Sequence, residues 1–559
     1  MVLEKLRNMF KSDKKIFGIL YKQNILVGEV ETIKIHDNIV TIGKDCIKIN
    51  QVLNIEIKDN QQEIIITTQY NKYIFISPNY NELYNFLIKT IAVYTKLYNS
   101  QKFKYFEYDP VKLEFKEIEL VDPQVKIYNH ISNYYFSIEE EHTLLQFHKI
   151  TSNIQNYMDQ DNLTFVWSIF EHNTFKTFSM KFTNNIEFLE FVSTFVDCVY
   201  KSVNQIGNES AYYKEMFLIN NNQEHKKNDN KNMEWLDITP NNNNFNEFNK
   251  TKNETNQHLI IDDQNVFVTR GKSLGIFDTN LNFKTQIVNA FDNPKKIITH
   301  NGHKNLLGQC EKNRLDLLDL ERGEVVEQWK VKDMNDFFNS EKMNNNNTLI
   351  GIGDYSIFRI DPRTKEKIVE VKDYKTKNEF SCGTTTEKGN VAIASAKGDL
   401  RLYNDINKKA KTLINGFGDP VIGIDTSKDG SLVLCTCKSY ILLYQVTNDY
   451  GKQILNKDKK TPKRLQLKPQ HLSLMTNEIN FTTAKFNQQD KLIVSSTNQY
   501  LIKWRVQDVL KGNVYEYSIT TLDDKVVDEN FIVNGDDIII ALPNDVRTIT
   551  NNNLKKPSF

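Results

Sequence analysis

Val391-Ala392-Ile393-Ala394-Ser395-Ala396-Lys397-Gly398-Asp399-Leu400-Arg401-Leu402-Tyr403 is the stretch that decides the fold. An apolar run, a Lys-Gly-Asp turn and a second short run make a β-hairpin. Strands apolar on both faces belong in a sheet packed between two others. Similar strand–turn–strand units begin near Val266, Leu306, Leu349, Val391, Leu432, Leu492 and Ile538, at spacings of 40, 43, 42, 41, 60 and 46 residues. The second strands end alike, in Gly275-Ile276-Phe277-Asp278, Leu317-Leu318-Asp319, Phe358-Arg359-Ile360-Asp361, Leu442-Leu443-Tyr444 and Ile502-Lys503-Trp504. A period of about 40–45 residues with four short strands per unit marks a β-propeller blade. Seven units suit a closed ring. The Trp-Asp pairs of WD repeats are absent, so the expectation is a seven-bladed, WD-repeat-like propeller over residues 258–559. The long fifth spacing predicts an insertion near Thr447–Thr461. The last unit, with strands expected at Asn530–Val533, Asp537–Leu542 and Asp545–Thr550, lacks an outer strand. An open edge is a liability, and the apolar island Met233–Ile238 is the candidate to cover it.

Upstream the pattern changes. Alternating segments at Asn24–Val30, Ile39–Ile42, Ile47–Ile49, Asn54–Ile57, Glu63–Thr68 and Lys72–Ile76 read as strands, followed by a helix over Asn79–Tyr98. A second series, Val125–Ile127, Tyr134–Ile138, Leu144–Ile150, Thr164–Phe170 and Thr177–Phe182, runs into a helix over Asn185–Ser202 with the stripe Phe188, Leu189, Val192, Phe195, Val196 and Val199. A bent sheet capped by one C-terminal helix is the pleckstrin-homology (PH) architecture. The expectation is a mainly β chain with PH-like domains at 1–102 and 103–205. Residues 206–257 are dominated by Asn, Lys and Glu, and hold too few apolar groups to offset the entropy of ordering, so they read as a disordered linker.

Lys+Arg and Asp+Glu each number 71, so the net charge is zero. A nucleic-acid binder needs a basic excess to displace counterions, so none is expected as a partner. Six cysteines are too few for a disulfide scaffold, and the first residues carry no apolar signal core. A cytoplasmic location is expected.

No motif carries catalysis, a cofactor or a metal. Gly271-Lys272-Ser273 lacks the upstream glycine and following helix of a phosphate loop and reads as a hairpin turn. His300 and His303 find no ligand partners in sequence. Cys435 and Cys437 alternate along one strand and read as buried packing. The charges are more informative. Arg359, Asp399 and Arg401 sit in hairpins expected to be buried, where a charge needs a partner, so they are candidates for ion pairs between blades; a basic patch at the channel mouth is the alternative. Arg363, Lys397, Lys438, Lys463 and Arg464 are candidates for contact with an acidic or phosphorylated peptide. Val2, Leu3, Leu6, Met9 and Phe10 fall on one helical face among Lys5, Arg7 and Lys11, a pattern that suits either weak membrane association or packing on the first domain.

Several segments resemble the vacuolar import and degradation protein family of the Vid-twenty-seven type: Val268–Phe277, Gly323–Trp329, Ser356–Arg363, Val391–Tyr403, Gly418–Gly430 and Pro462–Leu467. They occur in family order across most of residues 259–510. The family's acidic linker is replaced here by an Asn/Lys-rich one. The resemblance implies a cytosolic, non-enzymatic protein tied to vesicle-mediated delivery of cytosolic proteins to the vacuole or lysosome. Three functions compete: an adaptor binding protein partners, a peripheral membrane adaptor binding phosphoinositide-containing vesicles, and an enzyme built on the propeller.

Overall fold

The computed structural model describes residues 95–204 and 254–550 apart from short interruptions, the strands within 12–76, and the segments 210–219, 235–238 and 554–555. The expected amphipathic helix at Val2–Phe10 and most of the insertion near Thr447–Thr461 lie outside the described residues. The chain forms two compact units: residues 1–102 with 120–151, and residues 103–119 with 152–559. Strands expected to share the second PH-like domain are divided between them.

In the first unit a seven-stranded sheet runs in the order Asp45–Lys48, Ile39–Ile42, Ile25–His36, Ser12–Lys22, Lys72–Ile76, Glu63–Thr68, Val52–Lys58. Ser12–Lys22 joins its halves, pairing with Ile25–His36 and, through Ile19–Lys22, with Lys72–Ile76. Ile64 and Ile66 are buried, the alternation that a strand imposes. A four-stranded sheet follows, in the order Thr143–Lys149, Asn133–Glu140, Pro123–His130, Thr95–Ser100. Residues 79–94 of the helix expected at Asn79–Tyr98 lie outside the described residues, and Thr95–Tyr98 belongs to a strand in which Tyr98 and Ser100 are buried and Leu97 and Asn99 exposed. Period two overrides the helical spacing there.

The second unit opens with a six-stranded sheet in the order Glu114–Ile118, Phe103–Asp109, Thr174–Phe182, Thr164–Glu171, Gln155–Asp159, Leu218–Ile219. Helix α1 (Asn185–Val203) crosses it. The Asn184 side chain caps α1 by accepting the Glu187 N–H at 2.9 Å. Phe188, Phe191, Val192, Phe195, Val196 and Val199 form its buried stripe, and Phe165 packs on Phe191 and Phe195 with centroids 5.0 Å apart.

Among the described residues between Asn256 and Ile549 seven sheets follow one another, in a β-propeller. The first five have four strands each, all antiparallel. The fourth shows why the sequence takes this form. Val391, Ile393 and Tyr403 pack toward the third sheet, and Ala392, Ala394, Leu400 and Leu402 toward the fifth. Both faces of each central strand are buried, so the strands read as unbroken apolar runs. One apolar cluster joins each consecutive pair of sheets. Leu259, Val266, Val268 and Phe277 of the first sheet pack on Ile539, Ala541 and Val546 of the seventh.

Two expectations are corrected. Trp235–Ile238 does not complete the seventh sheet, which has three strands, Asp528–Phe531, Ile538–Ala541 and Val546–Ile549. It lies parallel to Tyr517–Thr521, the outer strand of the sixth, and Leu554–Lys555 pairs with it in turn. Nor is 206–257 wholly a linker. Helix α2 (Ser210–Phe217) leads into Leu218–Ile219, which pairs with Met158–Asp159, and Tyr213 and Phe217 are buried. The Asn-rich composition of the stretch masks this aromatic island. Among the described residues no helix is long and apolar enough to cross a membrane.

Candidate interaction surfaces

Antiparallel strands send alternate turns to opposite ends of the propeller, which separates the candidate cations. Lys397 and Lys438 lie in turns joining second to third strands, while Arg363 lies in a turn joining third to fourth. They do not form one patch. Lys397 approaches Glu379 at 3.8 Å and Lys438 pairs with Glu478 at 2.9 Å, both well exposed. Exposed pairs of this kind contribute little to stability. Arg363 holds Asp361 through two hydrogen bonds of 2.8 and 2.7 Å, and these keep the Asp361 carboxyl down at about 2.

Arg359, Asp399 and Arg401 do not form ion pairs between sheets with one another. Arg359 faces Glu370 directly across two strands of its own sheet, at 3.0 Å. Asp399 shapes the hairpin turn, its N–H donating to Ser395 Oγ at 3.1 Å. Arg401 meets rings rather than an acid: Phe380, on the innermost strand of its own sheet, at 5.4 Å, and Tyr374, just past the outer strand of the third sheet, at 6.0 Å.

The pairs that do bridge sheets lie on the innermost strands, which line a channel of about 460 Å³. Lys296 bonds Asp336 at 2.7 Å, and Asp336 accepts the Gly383 N–H of the next sheet. Asp425 accepts the Phe486 N–H at 2.8 Å. Lys485 bonds Asp528 at 2.9 Å, and Asp528 accepts the Leu259 N–H at 3.1 Å, stitching the seventh sheet to the first. At the same junction Asn256 donates to the Leu542 and Asp545 carbonyls, and buried Arg270 bonds Asn256 at 3.1 Å. Single short strands gave no signal of this pairing, since the partners lie on different repeats. Beside it Glu529 is fully buried and burial pushes its carboxyl up to about 7.

Lys463 is half-buried, and Arg464 is not on the surface at all. The Arg464 guanidinium, 4% exposed, lies between Phe217 of α2 and Tyr440 of the fifth sheet at 4.9 and 4.8 Å, and donates to the Ser152 carbonyl at 2.9 Å. Around it Gln155 donates to the Ser439 carbonyl, Gln466 to the Asn156 carbonyl, and Tyr157 packs on Tyr515. Asn204 reaches the Phe417 carbonyl while Tyr213 packs on the Phe417 ring at 4.2 Å. The six-stranded sheet and its two helices are therefore seated on the propeller, through the fifth and sixth sheets and the loop at 416–418. Arg464 is a packing cation of this seat, in place of the expected ligand contact.

The other sequence candidates are structural. Gly271, at φ +55°, makes a hairpin turn between two strands. His300 is buried edge-on to Trp329, and His303 lies outside the described residues. Cys435 and Cys437 are buried in the cluster between the fourth and fifth sheets, and burial raises both thiols.

Residues 254–559 match the VID27 C-terminal WD40-like domain. The chain belongs to the VID27 family. It is 38% identical over 331 residues to Vacuolar import and degradation protein 27 of Schizosaccharomyces pombe, and 34% identical over 336 residues to the protein of that name from Saccharomyces cerevisiae. Each match covers 52% of this chain, and 41% and 43% of the two relatives. The β-propeller domain of Cps50 (Swd1) from Myceliophteria thermophila superposes with a TM-score of 0.43 at 11% identity, over 53% of this chain and 98% of that one. The family match begins just before the ring-closing Asn256, so the closing junction and the propeller side of the seat, with Arg464, belong to the family domain, and Ser152 and α2 lie outside it.

Proposed function

We propose that the chain is a non-catalytic adaptor of the cytosol, acting in vesicle-mediated delivery of cytosolic proteins to the vacuole or lysosome for degradation. In this reading the propeller is a closed seven-bladed ring, two PH-like modules precede it, and protein partners bind to both. The observation that carries the reading is the seat around Arg464, which joins a second β-module to the propeller as one compact unit. Two recognition surfaces held at a set spacing bind partners without the entropy of ordering a tether. The PH-like part is supported by the long Ser12–Lys22 strand joining two half-sheets, and by α1 crossing the later sheet. The relatives' shared name supplies the process. The test follows turnover of pulse-labelled cytosolic proteins after a nutrient shift in cells lacking the chain. Delayed turnover, restored by the wild-type chain, is expected; unchanged turnover overturns the reading.

One observation favours docking on membranes as a second reading. The hairpin turn after Phe103–Asp109 exposes Val111 by 90% and Leu113 by 62%, on either side of Lys112. Apolar side chains beside a cation suit an anionic lipid surface. Co-sedimentation of the full chain with phosphoinositide-containing vesicles, lost in a Val111→Asp, Leu113→Asp variant, is the expected result, and equal sedimentation of the variant sinks it.

A further inference from the structure

The third and fourth propeller sheets meet at a group of cations that form no ion pair among the described residues. Arg401, on strand Leu400–Tyr403, is half-buried over Phe380 and Tyr374. Lys372, on the outer strand Ile368–Asp373 of the third sheet, lies over Tyr374 and Tyr403 at 5.3 and 5.2 Å and donates to the Lys408 carbonyl. The two tyrosine hydroxyls bond each other at 2.9 Å, so the rings that carry both cations are locked. Lys408, Lys409 and Lys411 stand exposed in the turn that follows. Among the described residues none of these five cations forms an ion pair. Burial and then the Arg401 charge hold the Lys372 ammonium below its ordinary range; Lys409 adds to this and Asp405 opposes it.

In a chain of zero net charge, these five cations are a local excess: Asp405 lies among them, while Glu370 and Asp373 of the adjoining strand are taken by Arg359 and Lys332. An anion entering there would relieve like-charge repulsion and gain charge-assisted hydrogen bonds. The shape narrows the choice of anion. Arg401 and Lys372 are both partly buried and share the Tyr374 ring, and the three lysines beyond them are exposed, so the group suits one dense charge rather than an extended phosphate backbone. The adjoining strand Ile368–Asp373 is the edge of its sheet and exposes Val369 and Val371 by 43% and 40%. A peptide laid along that edge would meet the valines on one face and Lys372 on the other.

We propose that the cleft between the third and fourth sheets docks a phosphorylated segment of a partner protein. Arg401 and Lys372 receive the phosphate, and Lys408, Lys409 and Lys411 draw it in. The site rests on the adaptor reading and names a partner chemistry for it. The probe is a fluorescent acidic peptide carrying two phosphoserines, titrated into the full chain at about 0.15 M salt and read by anisotropy beside its unphosphorylated counterpart. The variant Lys408→Glu, Lys409→Glu, Lys411→Glu changes only exposed side chains, and its melting temperature checks folding. Phosphopeptide binding weakened at least about tenfold in the variant, and weakened similarly by loss of the phosphates, is expected. Equal binding of the two peptides, unchanged binding by the variant, or preferential binding of phosphatidylserine vesicles or an RNA oligonucleotide overturns it. The two readings fail separately. A variant chain that restores protein turnover in cells removes the cleft and leaves the adaptor, whereas phosphopeptide binding without any turnover defect removes the delivery role and leaves the cleft.

Discussion

Arg464 and Glu529 are ionisable groups that folding buries, and each makes a measurable demand. Arg464→Ala removes a charge-assisted hydrogen bond to Ser152 and the filling between two rings. The loss is expected to cost about 2–4 kcal/mol, with Arg464→Met costing clearly less because it keeps the volume. Urea unfolding of the full chain measures both, and equal stability of Arg464→Ala and wild type would contradict the seat. Glu529 lies between the sixth and seventh sheets, where Thr482 donates to one carboxylate oxygen; burial favours its protonated form, and Lys485 nearby opposes this. Its folded value of about 7 exceeds the ordinary 4.5, so the folded chain holds an extra proton between those values. Stability from this group is therefore greatest below pH 4.5 and declines as pH rises to about 7. Glu529→Gln keeps the uncharged shape and should exceed wild type in stability at pH 8, by on the order of 2–3 kcal/mol, while the two converge near pH 5. Melting curves at the two pH values decide it; a gap that does not narrow with acid refutes the buried proton.

Elements carry the contact between module and propeller. Gly418 has φ +95°, and a Cβ on it would stand 2.0 Å from Cγ1 of Val203, the last residue of α1. Strain and clash act together there, so Gly418→Ala should lift α1 from the loop. Faster amide exchange at 210–217 and 416–418 is expected, with the first propeller sheet unaffected; unchanged exchange would show that the loop tolerates the methyl. Trp235–Ile238 is the opposite case. It adds to an outer edge of the sixth sheet and bridges no two propeller sheets. Deleting residues 233–238 should shift the melting temperature by no more than about 2 °C. A larger fall would mean that the added strand supports the ring.

At the scale of the whole molecule, ring closure and the seat set what can be cut apart. The first and seventh sheets share an apolar cluster, the Asp528–Leu259 bond and the Asn256 latch. Closure therefore does not depend on a strand from the distant 233–238 stretch. A protease site placed between residues 242 and 243 would sever the backbone, yet the seat would remain. The two fragments should co-elute on size exclusion after cleavage, and separation of a free propeller would contradict the seat.

How much was legible divides along the range of the interactions. The hairpin of Val391–Tyr403, the strands Glu63–Thr68 and Lys72–Ile76 and the helix from Asn185 rest on periodicity within one element, and the repeat on the recurrence of one such pattern, so that much was legible from residue order alone. Arg401 was legible as a charge in a packed hairpin that needs a partner, but not that the partners would be the Tyr374 and Phe380 rings, because ring and acid partners leave the same local pattern. The fate of Arg464 was hidden altogether. Its hydrogen-bond partner Ser152 is 312 residues away, on a strand-rich module whose docking no local period encodes. Sequence by itself determined which segments are strands buried on both faces, because a short run apolar at every position and bounded by turn residues has no face to show to water. Only the tertiary structure decided which cations are enclosed and which remain for a ligand, because that depends on surfaces brought together from opposite ends of the chain.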